Sequence, residues 1–227
     1  MNENDKSYFN RFQEGYNPYC AQDLERIISP LDSMLKGQGT ALAAEIGCAS
    51  GQFSRRLKDR YPGLRLLGID IAEKVLASYP YGKILGSVFE LPLADGCLDL
   101  VCLPAALHHF YPFDRSLKEI ARTIKAGGWL YCLEPNFYHP QRRFFMRFGW
   151  LYRLYRKAND VPIRPEALVS LLSGMGFDIE RLEYVNIFFR NPSFLQRMQN
   201  ALYRSTPRTR FDRHILPWFL LLARKRA

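Results

Sequence analysis

Two apolar runs in this chain end at groups that could hold a nucleotide-like ligand. The run from Thr40 to Ile46 leads into a small-residue turn, Gly47-Cys48-Ala49-Ser50-Gly51, and Phe53 to Tyr61 then reads as a helix. A strand, a glycine turn and a helix start bring bare backbone N–H groups up to such a ligand. Gly51 admits a backbone approach that a larger side chain would block. The second run, Leu64-Arg65-Leu66-Leu67-Gly68-Ile69-Asp70, ends on an acid. A carboxylate at a strand end can accept hydrogen bonds from both hydroxyls of a ribose.

A second group of candidates follows the apolar run Leu98–Leu103, where Leu107-His108-His109-Phe110 places two imidazoles in a mostly apolar stretch. A histidine there is either packed with a satisfied nitrogen or positioned to take a substrate proton near neutral pH, since its reference pKa is about 6.5. Sequence spacing does not separate His108 from His109 in that role. Glu45, ending the first run, is either an ordinary loop acid or a site acid.

These residues need an alternating scaffold to bring them together. The pattern predicts strands over 41–46, 64–70, 83–87, 98–103 and 129–134, with helices over 51–61, 72–79 and 113–125. Ala126-Gly127-Gly128 is the expected stop of the last of these helices. Strands alternating with helices mean right-handed βαβ units around a parallel sheet. Ahead of them, residues 7–36 read as two short helices, with Pro30 dividing the second and Gly37-Gln38-Gly39 ending it. Beyond them, Pro140 opens an arginine- and aromatic-rich helix over 142–157, and a further helix covers 165–174. An alternating strand runs from Phe177 to Phe189, Pro192 begins another helix to about Tyr203, and Ile215–Ala223 is the last strand, with Arg224-Lys225-Arg226 exposed after it.

Composition bounds the rest. A chain of 227 residues with 48% hydrophobic residues can bury a sizeable core, and it lacks the profile of a disordered chain. No apolar run approaches the roughly 18 residues of a membrane span, and the acidic start Met1–Lys6 does not read as a signal peptide. Five cysteines without metal-type pairing, two of them in expected strands, suggest reduced thiols and a cytoplasmic setting. The net charge of +10 is uneven. Residues 1–140 carry 15 Lys/Arg against 16 Asp/Glu, or −1, whereas residues 141–227 carry 17 against 6, or +11. The basic part suits an anionic substrate, an anionic membrane surface or nucleic acid.

In order along the chain, several stretches resemble the class I S-adenosylmethionine-dependent methyltransferases of the small-molecule type. Glu45–Gly51 resembles that family's acid-x-Gly-x-Gly-x-Gly loop, and Gly68-Ile69-Asp70-Ile71 its ribose-binding acid. Gly86–Val101 resembles the loop that flanks the adenine and leads into strand four. Ile124–Leu130 resembles its Lys-Pro-Gly-Gly turn, Glu134-Pro135-Asn136 the end of strand five, and Leu171–Phe177 the turn before strand six. The resemblance covers about residues 40–185. It implies a Rossmann-like, doubly wound α/β fold: a mostly parallel seven-stranded sheet, its last strand antiparallel, with helices on both faces. One domain over 1–227 is then expected: a helical cap at 1–39, a cofactor-binding core at 40–135, and a basic part at 136–227 with substrate-side helices and edge strands.

The resemblance also implies the cofactor, S-adenosyl-L-methionine, and roles for the site. Gly47, Cys48, Ala49 and Gly51 would present backbone to the methionine part, and Glu45 would lie near its amino group. Asp70 would hold the ribose, Ile71, Val88 and Phe89 would flank the adenine beside Ser87, and the carbonyl of Leu103 would meet the methionine ammonium. His108 or His109 would take the acceptor's proton. Some quinone-pathway relatives hold a divalent metal after strand four through two acids and a histidine. Here Pro104, Ala105 and Ala106 carry no carboxylate, so no metal is expected.

Two positions depart from the family pattern. Ala49 stands at the middle glycine, which costs on the order of 1–2 kcal/mol if φ is positive there. Ser87 stands where an aspartate often meets the adenine, and its hydroxyl is a weaker acceptor. The expected reaction is methyl transfer to a small-molecule or lipid-like acceptor, with the protein cytoplasmic or peripheral at an anionic membrane surface. Two other readings are an RNA or nucleic-acid methyltransferase or binder that uses the basic part, and a methyltransferase fold without catalysis. Nucleic acid is not the expected partner, because Leu103-Pro104-Ala105-Ala106 lacks the Asn/Asp-Pro-Pro-aromatic signature of base-amino methylation.

Overall fold

The protein is described by a computed structural model covering residues 21–36, 40–148, 160–187 and 211–227. Its organising feature follows from strands that are apolar on both faces, such as Leu98-Asp99-Leu100-Val101-Cys102-Leu103, which need cover on both sides. The described residues form a seven-stranded sheet of β1 (Leu42–Ile46), β2 (Arg65–Asp70), β3 (Gly82–Leu85), β4 (Leu98–Pro104), β5 (Ile124–Pro135), β6 (Phe177–Val185) and β7 (Trp218–Lys225). Their order is β3-β2-β1-β4-β5-β7-β6. β3, β2, β1, β4 and β5 pair in parallel, while β7 is antiparallel to both β5 and β6. The expected architecture is present, with the last strand antiparallel.

Alternate residues of each strand enter two apolar layers. Ala44, Ile46, Val101, Leu103 and Leu221 pack on one face with Leu117 and Ile120 of α5 (Phe113–Thr123) and with Leu168 and Leu172 of α7 (Pro165–Gly174). Ala43, Leu100, Cys102, Leu220 and Leu222 pack on the other with Ile27 and Ile28 of α1 (Ala21–Ile28) and with Phe53 and Leu57 of α3 (Gln52–Arg60). The Tyr131 hydroxyl, fully buried in that second layer, donates to the Ile27 carbonyl at 2.9 Å.

Several element bounds differ from the sequence reading, each for a local reason. Pro30 divides the N-terminal helix as expected: Ser29–Leu31 is a single 3₁₀ turn between α1 and α2 (Asp32–Leu35). The helix of 113–125 ends two residues early, at Thr123, because Ile124 is already extended and pairs with Leu98. Ala126-Gly127-Gly128 therefore lies inside β5 and not at a helix stop; Gly127, with φ +75°, sits where the register shifts against β4. The helix after β2 shrinks to α4 (Glu73–Leu76), since Tyr79-Pro80 turns the chain toward β3.

The last strand begins at Trp218 and not Ile215, because Asp212–Ile215 forms a helical turn, α8, and Pro217 has no N–H for a ladder. Arg224 and Lys225 consequently belong to the strand. Lys225 Nζ donates to the carbonyls of Ala121 at 2.7 Å and Ile124 at 2.8 Å. The arginine- and aromatic-rich helix α6 starts at Pro140, as read, and stops at Arg147, where Phe148 turns extended. The remainder of that predicted helix, the end of the strand from Phe177, the helix from Pro192, the aromatic stretch before residue 21 and the glycine stop at 37–39 lie outside the described residues.

Candidate functional site

The glycine turn connects β1 to α3 through left-handed backbone. Gly47 has φ +74°, Ala49 +45° and Gly51 +78°. Ala49 therefore does adopt the conformation that penalises a methyl group. The turn is tied down from β2: Asp70 Oδ2 accepts the Ala49 N–H at 2.8 Å, and Oδ1 accepts the Ala72 N–H at 2.8 Å. Burial raises the Asp70 carboxyl above its ordinary value, and the N–H groups of Ala72 and Ala49 oppose that rise. Gly47 N donates to the Ile69 carbonyl at 2.7 Å, which seats the turn on β2.

Each glycine meets a specific neighbour. A Cβ on Gly47 would fall 2.8 Å from Ala106 Cβ and 3.2 Å from the Phe110 ring. A Cβ on Gly51 would fall 2.6 Å from the Tyr79 ring, and one on Gly68 would meet the same ring at 2.6 Å and Cys48 Sγ at 2.7 Å. The room at Gly51 is thus taken by Tyr79, an internal aromatic that the sequence reading did not single out. Tyr79 Oη lies 2.6 Å from Ser54 Oγ, and the Ser54 hydroxyl and N–H both donate to Glu45 Oε2, the latter at 3.0 Å. Glu45 is held beneath the turn by this network, and burial pushes its carboxyl up to about 8 against the pull of Ser54.

A small cleft opens beside the turn. Ile46, Gly47, Ile69, Asp70, Ile71, Gly86, Ser87, Val88 and Phe110 line it, so the structure brings the ends of β1 and β2 together with the segment after β3. Five of the sequence candidates, Gly47, Asp70, Ile71, Ser87 and Val88, share this wall. Ser87 Oγ accepts the Phe89 N–H at 3.3 Å, and Phe89 lies beneath the Arg115 guanidinium, 5.2 Å away, off the cavity wall. Cys48 packs with Leu76 and Tyr79 in a small separate cluster, and burial raises its thiol. Leu103 is fully buried within β4, which runs one residue further than read, to Pro104. Glu45, Cys48, Ala49, Gly51, Phe89 and Leu103 therefore frame the cavity's surroundings without lining it.

After β4 the chain turns sharply at Ala105, φ +58°, whose N–H donates to Leu133 O at 2.7 Å. The next residues are gathered by Glu134 of β5, fully buried. Its Oε1 accepts the N–H groups of Ala106 at 3.1 Å and Leu107 at 2.8 Å, and its Oε2 lies 2.6 Å from His108 Nδ1. His108 Nε2 is 3.9 Å and His109 Nδ1 3.4 Å from one oxygen, Oδ1 of Asp160. The carboxylate absent from 104–106 thus arrives from fifty residues downstream. Neither histidine lines the cavity, but their turn adjoins it through Ala106 and Phe110, which close on Gly47. Glu134 carried the same signal as Asp70, an acid ending an apolar strand; nothing in the sequence near Asp160 announced it.

A family model described as a methyltransferase domain matches residues 44–132. The demethylmenaquinone methyltransferase of Bacillus licheniformis is 28% identical over 129 residues, 52% of this chain and 56% of that protein. A malonyl-[acyl-carrier protein] O-methyltransferase of Methylococcus capsulatus is 26% identical over 196 residues, 79% of this chain and 70% of that protein. The chain spans only about half the length of the first curated relatives it matches, 56% and 39%. Among solved structures, an S-adenosylmethionine-dependent methyltransferase of Mesorhizobium loti superposes with a TM-score of 0.62 at 20% identity, covering 89% of this chain and 98% of that one. The [4+2]-cyclase SpnF superposes with a TM-score of 0.66 at 16% identity, covering 99% and 94%. These structural likenesses show the fold, which serves more than one reaction. The family model over residues 44–132, the named relatives and the sheet topology together show that this chain is similar to the class I S-adenosylmethionine-dependent methyltransferases.

Proposed function

We propose that the protein transfers a methyl group from S-adenosylmethionine to a small-molecule or lipid-like acceptor. The observation that carries this reading is the cavity at the ends of β1 and β2, with Asp70 at its wall and a left-handed Gly47–Ala49 turn held in place by the same carboxylate. Its residues fit the cofactor's nucleoside end. Ile46, Ile69, Ile71, Val88 and Phe110 supply apolar walls for a base, and Ser87 and Asp70 supply polar groups for its edge and sugar.

The bound cofactor supplies an activated sulfonium methyl. The chain's own work is to orient an acceptor toward it and to exclude water. Phe110 and Ala106, closing on Gly47, exclude water where the turn meets the strand-four segment.

The names of the relatives, with a quinone-type and a carrier-bound acceptor between them, support an acceptor that is small or lipid-like. Helix α6 supports approach to an anionic surface: it carries Arg142, Arg143 and Arg147, and Phe144 and Phe148 are 56% and 45% exposed. Among the described residues no helix is long and apolar enough to cross a membrane. The four described cysteines are free thiols, in keeping with a reducing compartment.

Calorimetry with S-adenosylmethionine and its demethylated product tests the reading. The wild type is expected to bind both. Asp70→Ala removes a charged acceptor, worth about 1.5–3 kcal/mol, and so weakens binding about ten- to a hundred-fold. Ser87→Ala, which leaves the turn untouched, should weaken binding by no more than about ten-fold. A folded wild type that binds neither ligand refutes the proposal.

A further inference from the structure

We propose that His108, His109 and Asp160 form a site for one divalent transition cation of the zinc class. One ligand atom from each lies within 4.8 Å of the other two. The two imidazole nitrogens converge on the same carboxylate oxygen, at 3.9 and 3.4 Å. These separations exceed the 2.7–3.2 Å of an ordinary hydrogen bond. The shorter is close to the ~3.3 Å expected between neighbouring ligands that each stand about 2.0–2.1 Å from a tetrahedral ion, and the longer closes to it by a movement of about 0.6 Å.

Glu134 gives the independent argument. This fully buried carboxylate stands 2.6 Å from His108 Nδ1, which leaves Nε2 as the ring nitrogen on the Asp160 side. A carboxylate behind a histidine, with the far nitrogen directed at a cluster of ligand atoms, is the arrangement that orients metal-binding imidazoles. Asp160 is kept opposite by the Val161 N–H, which donates to the His108 carbonyl at 2.8 Å. Two imidazoles and one carboxylate select borderline ions such as Zn²⁺ or Co²⁺ over Mg²⁺ or Ca²⁺, which prefer oxygen. Three protein ligands leave a coordination position for water or for an oxygen of an acceptor. The expectation of no metal rested on residues 104–106, and the fold replaces their missing acid with Asp160.

The site stands on these residues whether or not the neighbouring cavity binds a cofactor, so the two proposals fail separately. The full chain, stripped with a chelator, is titrated with zinc chloride by calorimetry and with cobalt chloride by visible absorption. One equivalent of each is expected, with a tetrahedral cobalt spectrum. Glu134→Gln should weaken zinc binding about ten- to a hundred-fold, and Asp160→Asn and His109→Gln more than that. Zinc should raise the thermal midpoint of the wild type and leave that of His109→Gln unchanged. Should Glu134→Gln fail to fold, Asp160→Asn keeps the test, because its side chain is partly exposed and alters no strand. A wild type without stoichiometric zinc, or Asp160→Asn and His109→Gln variants that bind as tightly as the wild type, overturns the proposal.

Discussion

Replacing Ala49 with glycine should make the protein more stable, against the usual direction for removing a methyl group. Ala49 has φ +45°, where a Cβ crowds its own carbonyl and costs about 1–2 kcal/mol. Glycine removes that cost but loses more chain entropy on folding, about 0.5–1 kcal/mol. The net expectation is a gain of about 0.5–1 kcal/mol, or roughly 1–4 °C in thermal midpoint for a chain of this size. The bond from Ala49 N–H to Asp70 Oδ2 is a backbone bond and survives the change.

Ala44→Gly is the control. Ala44 is fully buried in β1 and has an ordinary strand conformation, so it loses about 0.8 kcal/mol of apolar burial in addition to the entropy and should be destabilised. Urea midpoints of the three proteins at one pH, extrapolated linearly, give the comparison. If Ala49→Gly loses as much stability as Ala44→Gly, the left-handed alanine is not strained and the account of the turn is wrong.

Gly47→Ala should do the opposite. Its Cβ would meet Ala106 at 2.8 Å in a backbone with φ +74°, so crowding of about 1–3 kcal/mol adds to the conformational cost; a lower urea midpoint and lost cofactor binding are expected. Glu45 predicts a pH effect. Burial pushes its folded pKa up to about 8 from an ordinary value of 4.5, so the folded state keeps a proton that the unfolded state has released between those values. Stability from this group is full below about pH 4.5 and is lost as pH rises toward 8. Urea midpoints at pH 5, 6.5 and 8 should fall less steeply in Glu45→Gln than in the wild type, and equal slopes would remove Glu45 as the cause.

Much of the scaffold was legible in the chain because its causes are local. Strands apolar on both faces, separated by helical segments, specify a covered parallel sheet, and Pro165 and Gly174 bound α7 as read. Bounds went astray where pairing overrode propensity. Ile124 joins Leu98 in the sheet despite following a helical pattern, and Ala126-Gly127-Gly128, a helix stop by composition, becomes an irregular stretch of strand. A glycine reads the same in both places, and only the neighbouring strand decides between them.

The sequence by itself determined the turn, the acid after β2 and the two histidines, because each is a distinctive residue type at the end of an apolar run. The tertiary structure alone decided what those groups face. It set Ala49 at positive φ, gave the space beside Gly51 to Tyr79, turned Glu45 into a buried strut for Ser54, and divided the candidates between those that line the cavity and those that frame it. It also placed Asp160 against two histidines fifty residues earlier, with Glu134 behind them. Such long-range meetings arise from strand order and from the burial of charges that must find partners, and neither is written in the spacing of residues along the chain.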